Sequence, residues 1–447
     1  MRDGRGAMPT TVVLFTRDLR VRDHPALSAA AARSDAILPL FVLDPAVLGR
    51  SARNRIAYLR HALADLRASL RRRGADLVVR QGDTVTETLR AAAEARAEAV
   101  FLSEDVSLTA RQRVRRLEGA RIEVRTFPGV TVVPPLEITP SGRAHYAVFT
   151  PYWRAWERRE WRPAVEPPER FALPPGIAPG PLPDQDLDRS GTGSLSPHRL
   201  TGGESHARRR LNTWIAEGIA DYERYHDALG AAATSRLSAD LRFGCLSPLE
   251  VASAAGACEG GVPYIRQLAW RDFHHQVTAA FPDIARRDYR PRDARWNDDE
   301  GALAAWREGR TGIPVVDAGM RQLLEEGFMH NRARLITAAF LTRELRIHWR
   351  RGGDHFHRLL LDGDVADNYG NWQWVAGTGN DTRPNRRFNL LRQARRFDPQ
   401  GDYVRRHVPE LARLDAADVH TPWRLERTPP GYPAPLVEIE GGVSRPR

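Results

Sequence analysis

The chain has 447 residues, enough for two or three domains with cores of their own, and its 42% apolar content argues against global disorder. No apolar run approaches the ~20 residues that span a bilayer. The formal charge of +11 points to an anionic partner, nucleic acid first, although every cation is arginine, so part of the arginine excess reflects GC-rich coding.

The start, MRDGRGAMPTTVVLF, lacks the apolar core of a secretory signal, so residues 1–10 read as a short leader on a cytoplasmic protein. Beyond it, apolar runs alternate with helical patterns. Thr11–Phe15, Ile37–Leu43, Leu77–Val79, Val100–Leu102 and Ile122–Val124 read as short, buried, mostly parallel strands. Between them, Ile56, Leu59, Leu63, Leu66 and Leu70 keep helical spacing within Asn54–Arg73, and Gly74 ends that helix. A further helix opens where Thr84 and Glu87 hold capping-box spacing. Such alternation predicts an α/β domain with a doubly wound, Rossmann-like parallel sheet. No GxGxxG follows the first strand, so ordinary dinucleotide binding is not supported.

A Pro-, Gly- and Ser-rich stretch from Pro163 to His206 reads as an inter-domain linker. From Glu204 to about Arg427 the pattern is helical. Tryptophan usage shifts as well: none of the first 150 residues is Trp, whereas eight of the eleven lie at or beyond Trp214. Cys245 and Cys258 are the only cysteines. Two thiols outside CxxC spacing exclude a disulfide framework, a multi-cysteine zinc site and a four-cysteine iron–sulfur cluster.

Five stretches could carry chemistry. Thr234, Ser235, Arg236, Leu237 and Ser238 group hydroxyls and amides before a helix, which suits either a phosphate nest or an ordinary N-cap. Gln267-Leu-Ala-Trp-Arg-Asp-Phe273 and Gly327-Phe-Met-His-Asn-Arg-Ala-Arg334 set indole, amide or guanidinium groups beside apolar helix positions. The stretch Asp362–Trp374, DGDVADNYGNWQW, fits neither a strand nor an amphipathic helix. Trp270 and Trp374 could stack on bases or fill a core. Asp362 and Asp364 could pair with arginines, act as acids or face solvent. His330 reads as a hydrogen-bonded helix histidine rather than a metal ligand, since no HxH or HxxxH partner accompanies it. The run Thr382–Arg396 has six arginines, suited to a phosphate backbone or to a solvated basic face.

In order and spacing, TRDLRVRDHPAL (Thr16–Leu27), TSRLSADLRFGCLSP (Thr234–Pro248), LAWRDFHHQ (Leu268–Gln276), WREGRTGIPVVDAGMRQL (Trp306–Leu323), FMHNRARLITAAFL (Phe328–Leu341) and DGDVADNYGNWQW resemble the photolyase/cryptochrome family, most closely its bacterial cyclobutane pyrimidine dimer photolyases. The resemblance runs from about Thr11 to Pro435. It implies an N-terminal antenna domain at 11–135, a linker at 136–205, an all-helical FAD- and DNA-binding domain at 206–435 and a short tail at 436–447. Tyr222, Thr234–Ser238 and Arg271 would bind FAD. Arg334 and Asp362 would form an ion pair at the isoalloxazine with Asp364 nearby, and Asn368 would face flavin N5. Trp372, Trp349 and Trp296 match a photoreduction chain running outward from the flavin. The flipped dimer would lie against Trp270 and Trp374, with Gln267, Asn331 and Leu335 lining its pocket and Arg332 gripping phosphate. Light-excited reduced FAD would donate an electron to the dimer and recover it after the ring splits.

Departures from the family pattern are informative. Gln267 stands where many dimer photolyases have glutamate, Phe328 where Trp is common, Leu335 where Met is common and His226 where an arginine often meets DNA. Asn331, in place of a second histidine, disfavours 6-4 lesions. Leu108 stands about where folate-binding members have Glu, which favours an antenna of the 8-hydroxy-deazaflavin type over methenyltetrahydrofolate. The expected partner is dimer-containing DNA, with no membrane, no iron–sulfur cluster and a monomeric chain. A cryptochrome-type photoreceptor that binds FAD without repair is the alternative. The dozen residues after Pro435 and Asn368 itself favour the repair enzyme.

Overall fold

Five apolar runs near the N-terminus form one all-parallel sheet in the computed structural model, which describes residues 9–380, 389–440 and 443–446. Residues 1–8 of the expected leader, residues 382–388 of the arginine run, and residues 441, 442 and 447 of the expected tail lie outside the described residues. The strands are β1 (Thr10–Leu14), β2 (Ala36–Leu43), β3 (Val78–Gln81), β4 (Ala99–Ser103) and β5 (Glu123–Phe127), in the order β3-β2-β1-β4-β5. Val12 pairs with Leu38 on one side and Val100 on the other, so β1 is central and all five of its residues are buried. The expectation of burial fails at β5, where three of five residues are exposed. As an edge strand, β5 lacks a neighbour on one side. Strand order reverses between β1 and β4, which opens a crevice at their carboxyl ends.

The helix Arg53–Arg71 buries Ile56, Leu59, Leu63, Leu66 and Leu70, as their spacing predicts. The helix Thr84–Glu94 begins differently from the sequence reading. Asp83 is its cap, accepting from Thr86 N–H at 2.9 Å. Thr84 instead donates its N–H and its hydroxyl to Asp44 at 3.0 and 2.9 Å, and Glu87 accepts from Arg90 at 2.7 Å. A shorter carboxylate one residue upstream satisfies the free amide better than the threonine does.

The stretch expected as linker contains a helix, Phe149–Arg158. Beyond it the chain lies along the sheet: Ile37 N–H donates to Ala172 O at 2.9 Å and Val79 N–H to Pro179 O at 2.7 Å.

Two compact units result, and they do not follow chain order. One holds Met1–Gly193, Leu200–Ala220 and Ser235–Pro282; the other holds Ser194–Arg199, Asp221–Thr234 and Asp283–Arg447. Buried polar groups explain why later segments join the sheet in the first unit. Glu204 accepts from the N–H groups of Val21 and Arg22 at 2.9 and 3.2 Å. Buried Arg20 donates to Gly244 O at 3.1 Å and Gly129 O at 3.0 Å. Gly244, at φ +64°, lies so close that a Cβ there would stand 2.5 Å from Asp18 Cα. In the second unit the helices Pro314–Glu326, Asn331–Ala339, Trp349–Leu359 and Val365–Ala376 surround an aromatic core. Its C-terminal segment is tied down by Asp317, which accepts from Thr311 N–H, Thr311 Oγ1, Gly312 N–H and the Tyr432 hydroxyl.

Candidate functional site

The stretch that fits neither sequence pattern is a helix entry followed by a helix. Asp364 is the N-cap of Val365–Ala376, accepting from Ala366 N–H at 2.8 Å and Asp367 N–H at 3.2 Å. Asp362, just before it, accepts both guanidinium arms of Arg334 at 2.8 and 3.2 Å, and Arg334 Nε donates to Met329 O at 2.8 Å. Within the helix, Asn368 and Trp372 are four residues apart and share a face, whereas Trp374, two beyond Trp372, is rotated by about 200°. Trp372 is buried and Trp374 is half-buried. Gln373 lies between them and is fully buried. It accepts from Tyr289 N–H at 2.8 Å and donates to Ile284 O at 2.7 Å and Arg287 O at 2.8 Å. That amide anchors the helix, which is why a polar residue separates two indoles.

Trp349 opens the neighbouring helix Trp349–Leu359, and two glycines bring that helix against Val365–Ala376. A Cβ at Gly352 would clash with the edge of the Trp372 ring, whereas one at Gly353 would stand 3.2 Å from the Tyr369 ring. The Asn368 amide Nδ2 donates to Gly353 O at 3.0 Å. Trp349 is fully buried, 6.3 Å from Tyr369 and 5.6 Å from His348 between ring centroids; His348 in turn is 5.0 Å from half-buried Trp296. Trp372 packs edge-on against Phe356 at 5.0 Å and Trp306 at 6.1 Å. Three indoles and their aromatic neighbours thus lie in one unit, from buried to half-buried.

His330 is the N-cap of Asn331–Ala339, its Nδ1 accepting from Arg332 N–H at 3.2 Å. Burial lowers its pKa to about 4, so the ring is neutral and Nε2 carries the proton. That Nε2 is buried with no hydrogen-bond partner among the described residues. Asn331 is exposed and Leu335 half-buried on the same helix. Arg332 is not a free cation. It forms a two-armed pair with Asp227 at 3.1 and 2.5 Å and stacks over Phe397 at 4.3 Å. Tyr222 is buried, with its ring 5.0 Å from His226.

In the first unit, Gln267, Trp270 and Arg271 take helix positions i, i+3 and i+4 of Gly261–Ala280 and so share one face. Trp270 is backed by Phe149, parallel within 9° at 3.7 Å, a partner on Phe149–Arg158 that no sequence signal identifies. Gln267 is exposed. Arg271 donates to Val130 O at 2.5 Å, while its Nη2 is buried and has no hydrogen-bond partner among the described residues. Beside it, burial lifts Asp272 to about 6, although the carboxylate accepts from Val132 N–H, Val133 N–H and Trp156 Nε1, all at 3.0 Å. The unit boundary falls between Thr234 and Ser235. Ser235 Oγ bonds the Tyr264 hydroxyl at 2.9 Å, and Arg236 adopts φ +54°. The short helix Ser238–Phe243 follows Leu237 with no side-chain cap, so the ordinary N-cap reading of this stretch does not hold. The Leu237 N–H, next after the left-handed residue, donates to Ser235 Oγ at 3.3 Å; a left-handed residue in such a turn is the backbone element of an anion nest.

Residues 11–170 match the family model described as DNA photolyase, and residues 264–445 match the FAD binding domain of DNA photolyase. The chain is 46% identical to a deoxyribodipyrimidine photo-lyase of Streptomyces griseus over 98% of both chains. It is 34% identical to a cryptochrome DASH of Gloeobacter violaceus over 96% of this chain and 93% of that one. The crystal structure of a bacterial class III photolyase from Agrobacterium tumefaciens superposes with a TM-score of 0.89 at 31% identity, covering 98% of this chain and 96% of that one.

Proposed function

The chain belongs to the DNA photolyase/cryptochrome family, and on that premise we propose that it is a deoxyribodipyrimidine photo-lyase, repairing cyclobutane pyrimidine dimers in DNA with blue light and bound FAD. The observation that supports this most is the helix Val365–Ala376, which turns Asn368 and Trp372 to one face and Trp374 to the opposite one. We assign the antenna role to residues 11–135, the linker to 136–205 and FAD and DNA binding to 206–435.

The residues present fit FAD. Arg271 keeps a buried guanidinium N–H without an acceptor among the described residues, and Arg236, at φ +54°, stands just ahead of a helix with no side-chain cap. Both suit a pyrophosphate. We assign FAD binding to Thr234, Ser235, Leu237, Ser238 and Tyr222 as well. Reduced, photoexcited FAD supplies the electron that opens the cyclobutane ring and recovers it afterwards. The protein binds, orients and excludes water. Arg334 and Asp362 set balanced charges beside the cofactor, with Asp364 fixed by its capping bonds. Because Asn368 commits Nδ2 to Gly353 O, it presents Oδ1 as an acceptor to the cofactor's edge. Trp372, Trp349 and Trp296 return electrons from the surface when the cofactor arrives oxidised.

We assign contact with the extruded dimer to Trp270, which is backed by Phe149, and to Trp374, Gln267, Asn331 and Leu335. Gln267 donates a hydrogen bond but has no acid proton, so the dimer's developing charge is met by hydrogen bonding alone. Arg332 binds phosphate by exchanging Asp227 for it. The antenna, of the 8-hydroxy-deazaflavin type, occupies the crevice between the carboxyl ends of β1 and β4. Arg113, its pKa lowered by burial, lies within electrostatic reach of Asp105, Asp44 and Asp18, which follow the strands β4, β2 and β1. The enzyme acts as a cytoplasmic monomer.

The resemblance to a cryptochrome DASH gives the alternative of a photoreceptor. Binding in darkness separates the two. The FAD-loaded enzyme should bind a duplex with one thymine dimer at least tenfold more tightly than the undamaged duplex. Equal affinities would favour the receptor.

A further inference from the structure

Trp349 is the most enclosed of the three indoles in the electron relay. Its one hydrogen-bonding atom, Nε1–H, donates to Oδ1 of Asp288 at 2.9 Å. Asp288 is half-buried in the segment between Gly261–Ala280 and Glu300–Glu308, and that segment is held by the three hydrogen bonds of Gln373. Among the described residues, no carboxylate bonds the indole N–H of Trp372 or Trp296.

The other charged and titratable groups facing Trp349 oppose a positive charge on it or leave it unaffected. The Arg350 guanidinium lies 5.3 Å over its ring. His348, 5.6 Å away, has its pKa lowered by burial and by Arg350, with Asp288 acting the other way, so it is neutral near pH 7. Tyr369 commits its hydroxyl to Asp354 at 2.7 Å. Loss of an electron makes an indole a cation and its N–H a far stronger acid. Next to Arg350, that cation requires a compensating anion, and Asp288 is the carboxylate bonded to the acidic proton.

We propose that Asp288 is the proton-accepting partner of Trp349 in the relay, which deepens the photo-lyase reading above and rests on it. The oxidant is the photoexcited, oxidised flavin, acting through Trp372. One electron passes from Trp349 to oxidised Trp372, and the Nε1 proton shifts along the existing bond to Asp288 Oδ1. One electron from Trp296 then reduces Trp349, and the proton returns to Nε1. Trp349 and Asp288 end unchanged, and the oxidising equivalent resides on Trp296 near solvent. Outward movement of the hole is thereby favoured over its return to Trp372.

The test is flash-induced transient absorption of the FAD-loaded protein in H2O and D2O, reading the indole radical. In D288N the amide oxygen can still accept from Nε1 but cannot take the proton. The expected result is about a tenfold lower yield of long-lived indole radical, the change for one charge-assisted hydrogen bond made neutral, and loss of the solvent isotope effect on the Trp349 phase. D288E should restore part of both. Equal yields and equal isotope effects in D288N and the parent would overturn the proposal. W349F serves as the control on the relay. Undiminished photoreduction in W349F would overturn the relay reading itself, whereas blocked photoreduction in W349F with a parent-like D288N would overturn only the role of Asp288.

Discussion

Replacing Gly352 with alanine should destabilise the protein although alanine is the better helix former. In Trp349–Leu359 the exchange gains about 0.8–1 kcal/mol of helix propensity. Against this, the new Cβ would lie 2.5 Å from Leu341 Cδ2 and 2.5 Å from Trp372 Cζ3, at least an ångström inside ordinary carbon–carbon contact. Both neighbours are buried, so neither can swing into solvent. Overpacking costs about 1–3 kcal/mol, and contacts this short belong to the upper half of that range, for a net loss of about 1–2 kcal/mol. Gly353 supplies the internal control. Its Cβ would meet Tyr369 ring atoms at 3.2 Å and Trp372 Cγ at 3.5 Å, contacts that a shift of tenths of an ångström relieves. G353A should therefore be neutral or slightly stabilising. Urea unfolding followed by near-ultraviolet circular dichroism reads both, and G352A should also slow photoreduction by displacing Trp372. A G352A protein as stable as the parent, or a G353A protein damaged more than G352A, would refute this packing assignment.

Further outcomes follow from the same contacts. F149A removes the ring stacked on Trp270, and loss of about 0.5–1.5 kcal/mol of stacking should weaken dark binding of a dimer-containing duplex several-fold, measured by fluorescence anisotropy. R334A strands the nearly buried Asp362 carboxylate and should lower the FAD-to-protein ratio after gel filtration, with D362N doing so less severely. His330 titrates at about 4 in the fold against 6.5 unfolded, so the unfolded chain binds more protons between those values. Its contribution of about 3 kcal/mol is fully present above pH 6.5 and is lost as pH falls toward 4. The stability difference between parent and H330Q should shrink by that amount across the window in urea melts. Asp317 acts in the opposite sense. Burial lifts it from 3.8 to about 6, so its contribution is fully present below 3.8 and is lost as pH rises through 6, and the parent should lose ground to D317N between pH 4 and 7.

The parallel sheet was legible because buried strands are continuous apolar runs, and the Arg53–Arg71 helix because one leucine stripe faces one core. Val365–Ala376 was not, since its faces meet different surroundings and no single stripe results. Nothing in the sequence marks Gln373 as buried, yet three backbone partners make it one of the most buried residues of that helix. Arg332 likewise reads as a free cation, and Asp227, which pairs with it, lies about a hundred positions away. Phe149 is hidden for a similar reason: its partner Trp270 is distant in sequence and the intervening stretch looks like linker. The division into compact units was equally hidden, because it depends on single buried donors such as Arg20 reaching Gly244. Motif order, by contrast, survives in the sequence. Chemistry carried by ordered motifs could be read there, whereas chemistry resting on one distant partner needed the structure.

The central claim is light-driven dimer repair by the reduced flavoenzyme. It is tested most directly by counting restored thymines in a dimer-containing duplex, with the bound FAD reduced beforehand, under blue light and in darkness. Restoration is expected in the illuminated sample alone, and is abolished when Trp374 and Trp270 are both replaced by alanine. Intact dimers after illumination, with FAD bound and reduced, would contradict it.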